Sequence, residues 1–101
     1  MYEFAWKSPL FGGRLGACHA LEIGFVFDTL DAEGGEALCG TSPPGELAAA
    51  MHKAWVDFAQ SGRPGWDAYD RDTRATMTFD LDSALIYDPR PGQRAAWESI
   101  R

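Results

Sequence analysis

Tyr2, Phe4 and Trp6 alternate with Glu3 and Ala5 at the start of the chain, a period of two that predicts a half-buried strand ended by the following Lys-Ser-Pro. Residues 9–18, PLFGGRLGAC, hold three glycines and a proline, and predict an irregular connection able to bring backbone close to another segment. Residues 20–27, ALEIGFVF, are almost wholly apolar over about two helical turns, a pattern that periodicity alone assigns to neither helix nor strand; a short helix is the expectation, with Gly24 weakening it. Acid, Gly and Pro then dominate residues 28–45, which read as a surface loop. In residues 46–62, Leu47, Met51, Ala54, Trp55 and Phe58 fall on one side of a 3.6-residue period, with Glu46, Lys53, Asp57 and Gln60 opposite. Pro43 and Pro44 before this stretch and Gly62 at its end punctuate a helix of some four turns. After a loop over residues 63–74, ATMTF and ALIYD predict two short strands joined by DLDS. Residues 91–101 predict a terminal helix anchored by Trp97.

With 101 residues, these elements make one domain over 1–101 at most. Six Phe, four Trp and three Tyr in a chain that is 46% apolar argue against disorder, and they call for more packing partners than so small a body supplies easily. A formal net charge of −6 with scattered arginines repels phosphate backbones, so no nucleic-acid partner is expected. No apolar run approaches the roughly 18 residues that cross a bilayer, and the first ten residues lack the charged and apolar regions of a leader. A membrane role is not expected; the compartment stays open, with the cytoplasm favoured. Cys18 and Cys39 have no metal-type spacing and are expected as free, partly buried thiols.

Several chemistries can be set aside. None of the five serines stands in G-x-S-x-G, the pattern that lifts a nucleophile on a strained strand-to-helix turn; the nearest, GTSPP, ends in proline. FGGRLG has Phe11 where a dinucleotide loop needs its first glycine, and no βαβ unit follows. His19 and Glu22 form an H-x-x-E pair to which His52 would add a third ligand, but the two histidines lie in different elements with no second signature. No metal and no cofactor is expected, and His52 reads as a residue at the border of its helix's apolar stripe. Adjacent Cys18 and His19 do not make a thiol-imidazole pair.

One segment carries more. GACHALEIGFVF, with Gly16, Ala17, His19, Glu22, Phe25, Val26 and Phe27, resembles the stretch around the catalytic histidine of the type B carboxylesterases, the cholinesterase and para-nitrobenzyl esterase branch of the α/β-hydrolase fold. Ala20 stands where that family usually has Gly, and Gly24 where Pro is frequent. AMHKAWVDFAQSGRPG is similar to the family's late helix, and WDAYD, RATMTFD and IYDPRPGQRAAW are similar to its closing segments, so the resemblance runs from Tyr2 to Trp97. Arg63 in place of a frequent Asp, and a short link between Gly65 and Trp66, touch only a surface loop.

The resemblance implies an α/β chain, the C-terminal portion of an α/β-hydrolase domain, with few short strands, one amphipathic helix of about four turns and a short terminal helix. It implies a serine carboxylesterase acting on small-molecule esters, to which this chain contributes His19 as general base and Glu22 as a supporting charge or hydrogen-bond partner. Serine, triad acid and oxyanion-hole glycines precede the histidine in that chain order. The isolated chain is therefore expected to be inactive. The alternative expectation is a non-catalytic truncated form or binding module derived from the same fold. In either case the strand at Tyr2 would present an edge and the Trp55/Phe58 face would lose its cover, which favours self-association.

Overall fold

The alternation at the start of the chain becomes β1 (Tyr2–Phe4) in a computed structural model that describes residues 1–98 and 100. The two later apolar runs become β2 (Ala75–Phe79) and β3 (Ala84–Tyr87). β1 lies parallel to β2, Tyr2 opposite Met77 and Phe4 opposite Phe79, and β2 is antiparallel to β3, giving the order β1-β2-β3. A parallel pair needs a long crossover. Here it is the whole segment from Ala5 to Arg74, which carries three α-helices.

The aromatic side chains of the first strand and of Trp6 just after it register that crossover against the sheet. Tyr2 meets Phe79 edge-on at 5.7 Å, while Phe4 and Trp6 each lie 5.1 Å from Phe25, which is fully buried. Such tilted and edge-on contacts suit the ring quadrupoles and add directional preference to the burial of area.

Phe25 belongs to α1 (Ile23–Val26), shorter than the expected run over 20–27 because Ala20 has φ 66, outside the right-handed helical region. The expected loop over 28–45 contains a further single turn, α2 (Glu36–Cys39), which carries Cys39 into the core. One turn is too short to show a period in sequence. Cys39 and Cys18 are free thiols, the first buried and the second half-buried.

The long helix is α3 (Gly45–Ser61), preceded by Pro44 in extended conformation and closed by Gly62 at φ 73, whose N–H donates to the Phe58 carbonyl at 2.7 Å. Its buried face is Leu47, Ala48, Met51 and Ala54. The expected stripe is thus turned toward Ala48: Trp55 and Phe58 remain 45% and 56% exposed, because α1 packs against one flank of the helix, while on the other flank Tyr2 of β1 meets the Trp55 ring only edge-on at 6.1 Å.

α4 (Pro91–Glu98) forms where expected, but Trp97 does not anchor it; the indole is 66% exposed and the helix buries no residue. Arg94 holds it instead, donating through Nε and Nη2 to both carboxylate oxygens of Asp88 at 3.0 and 2.8 Å and through Nη1 to Glu98 at 2.6 Å. Ser99 and Arg101 of the expected terminal helix lie outside the described residues.

Candidate active-site histidine

The loop that leads to His19 is tied at its base by Ser8. This residue is wholly buried; its N–H donates to the Gly16 carbonyl at 3.1 Å, and its hydroxyl donates to Leu38 O at 2.6 Å while accepting the Leu10 N–H at 3.3 Å. Within the excursion, Phe11, Gly12, Gly13 and Gly16 all have positive φ, a backbone path that the glycines make inexpensive.

His19 then sits in a tight turn. The Leu21 N–H donates to the Cys18 carbonyl at 3.2 Å, leaving His19 and Ala20 as the two central residues, with positive φ at the second. That is the arrangement for which a type II turn takes glycine. The turn sends Leu21 into the core and leaves His19 exposed. Among the described residues nothing forms a hydrogen bond or ion pair with the His19 ring, so both ring nitrogens are open to groups outside the chain.

Glu22 is half-buried immediately before α1, and its carbonyl accepts the N–H groups of Phe25 and Val26 at 3.0 and 2.9 Å. Burial pushes the Tyr2 phenol above its ordinary value, a hydrogen bond with Trp55 opposes this, and the charge of Glu22 adds to it. On the inner side of the same region, burial pushes the Cys39 thiol up, with Cys18 contributing in the same direction. The thiol beside the histidine is thus part of the packing behind the turn.

His52 points elsewhere. Its Nδ1–H donates to the Val26 carbonyl at 2.9 Å, joining α3 to the end of α1. No group of three or more His, Cys, Asp or Glu side chains converges for a metal among the described residues. Sequence reasoning placed His52 only at the border of its helix's apolar stripe, and gave Ser8 no role; a serine between Lys7 and Pro9 carries no signal of burial, since the backbone groups it ties together besides the nearby Leu10 N–H lie 8 and 30 residues away.

An open groove of about 770 Å³ runs between the exposed flank of α3 and the segment after it, lined by Tyr2, Trp55, Phe58, Trp66 and Tyr69. Trp66 closes one side, its indole N–H donating to the Met1 carbonyl at 3.1 Å. His19 is not among its walls.

No family model matches the chain. It is 34% identical over 102 residues to the para-nitrobenzyl esterase of Bacillus subtilis (strain 168), a match covering 93% of this chain and 20% of that protein. It is 36% identical to the phenmedipham hydrolase of Pseudarthrobacter oxydans over 84% of this chain and 19% of that one. Its fold superposes on a thermophilic para-nitrobenzyl esterase with a TM-score of 0.80 at 30% identity, covering 94% of this chain and 21% of the other. A carboxylesterase of Geobacillus stearothermophilus, EST55, gives 0.74 at 32%, covering 96% and 21%. The chain spans about one fifth of the length of the relatives it matches.

Proposed function

We propose that this chain, homologous to a one-fifth portion of the type B carboxylesterases and matching the C-terminal portion of such an enzyme, carries the general base of a serine carboxylesterase at His19. The observation that supports this is the placement of the ring: a tied loop and a tight turn hold it outward, with no partner of its own among the described residues. Partners for both ring nitrogens would come from the rest of the enzyme. One nitrogen would take the proton of the nucleophilic serine as its oxygen attacks the ester carbonyl, and would return that proton to the leaving alcohol; the other would donate to a buried carboxylate that fixes tautomer and orientation. The same cycle repeated on water releases the acid. Glu22 supports the site through its charge, and small-molecule carboxylic esters are the substrate class. Nucleophile, orienting acid and oxyanion donors lie outside this chain in this reading, so the 101 residues alone have no esterase activity.

The test replaces the matching fifth of the Bacillus subtilis para-nitrobenzyl esterase with this chain and measures para-nitrophenyl acetate hydrolysis. The chimera is expected to turn over, and His19→Ala in it to lower kcat by on the order of 10⁴-fold or more. A folded, active chimera indifferent to His19→Ala overturns the assignment, as does saturable turnover by the 101-residue chain alone that His19→Ala abolishes.

The exposed Trp55 and Phe58 favour a second reading, a non-catalytic module of the same fold that associates through its apolar groove.

A further inference from the structure

A four-residue helix leaves its last carbonyls without partners inside the helix, and α1 follows the His19 turn directly. Three backbone bonds connect turn and helix in series: Leu21 N–H to Cys18 O at 3.2 Å, Val26 N–H to Glu22 O at 2.9 Å and Phe27 N–H to Ile23 O at 3.1 Å. So short a helix is not stable by itself. Its inner face, Phe25 and Val26, is buried in the cluster that also holds Met51 of α3; the ring contacts orient Phe25 toward Phe4 and Trp6, but the apolar contact with α3 is non-directional and permits sliding and rotation along that helix. The directional tie between α1 and α3 is the His52 Nδ1–H on the Val26 carbonyl at 2.9 Å, made from the residue next to Met51. His52 is half-buried, so the bond is partly shielded from water.

We infer that His52 is a positioning residue for the His19 turn: by capping α1 at Val26 it fixes the rotation of α1 on α3, and through the three serial backbone bonds it fixes the direction in which the His19 ring leaves the surface. This rests on the catalytic reading of His19 for its purpose but not for its geometry. A carbonyl only accepts, so His52 must carry a proton on Nδ1; the donor, not the charge, is what the role requires. Asn places an amide N–H at the corresponding atom, one bond from Cγ, whereas Gln places it one atom farther out and Leu offers no donor.

Amide hydrogen exchange on the 101-residue chain, with global stability from urea titration, separates this role from general packing. In His52→Leu, protection at Leu21, Val26 and Phe27 is expected to fall at least tenfold more than at Ala5, whose N–H donates to Phe79 O in the sheet. His52→Asn is expected to keep those three amides within twofold of the unchanged protein after correction for global stability, and His52→Gln to lose protection as Leu does. If His52→Leu does not fold, the Asn and Gln pair decides. A uniform fall at all four amides, or equal behaviour of Asn and Gln, overturns the inference. Loss of activity plays no part in this measurement, so a failure here leaves the His19 assignment standing, and a failure of the chimera leaves the tie between α3 and α1 standing.

Discussion

Ala20 occupies the left-handed region at φ 66, where a Cβ crowds the following carbonyl, and it does so beside the candidate base. The resemblance noted Ala in place of the family's usual Gly; the turn geometry gives the physical reason for that preference. Ala20→Gly is expected to raise stability in urea by about 1 kcal/mol, the relief of left-handed strain exceeding the added freedom of the unfolded chain. An unchanged or lowered midpoint contradicts this. His19 stands out as a candidate in the sequence because its neighbours Gly16, Ala17 and Glu22 match the spacings of the resemblance. His52 and Ser8 do not, because hydrogen bonds to backbone carbonyls 26 and 30 residues away leave no local pattern.

At the scale of elements, β1, α3 and the β2/β3 pair appear where the polar and apolar periods put them, since each period is long enough to repeat. α2 and the true extent of α1 are single turns set by what they pack against. α4 illustrates a different device. The hydrogen bonds from Arg94 hold the Asp88 carboxyl below the usual carboxylate range, while Asp88 and Glu98 push the guanidinium further up. A carboxyl whose folded pKa is depressed contributes stability that is fully present above its unfolded value, near 4, and is lost as pH falls through the folded one. The docking of α4 is therefore expected to weaken on acidification below about pH 4. In Asp88→Asn that part of the acid sensitivity disappears, and α4 amides exchange faster at neutral pH. Equal acid profiles in the two proteins would show that Asp88 does not hold the helix.

At the scale of the whole molecule, the radius of gyration is 15.1 Å, against about 13 Å for a compact domain of 100 residues. The described residues leave Phe27 and Trp97 about two thirds exposed, line an open groove with aromatic rings, and pair β1 on one edge only. These are surfaces that ordinary monomers cover. The isolated chain is expected to associate at high concentration, and Phe58→Glu, at an exposed groove position, to shift it toward monomer without lowering its urea midpoint. A sharp monomer peak for the unchanged chain in size-exclusion with light scattering contradicts this.

Alternation, a 3.6-residue period and motif spacing are local along the chain, and they were enough to read off the strands, the long helix with its punctuation, and the family resemblance of the histidine segment. Composition likewise set an apolar content larger than one small body buries. Which flank of α3 is covered, the hold of Arg94 rather than Trp97 on the last helix, the tie made by Ser8 and the cap of His52 on α1 were visible only in the folded chain. Each of those depends on groups brought together by the crossover between β1 and β2, and contacts made across such a distance are fixed by packing and hydrogen-bond satisfaction that no window of neighbouring residues contains.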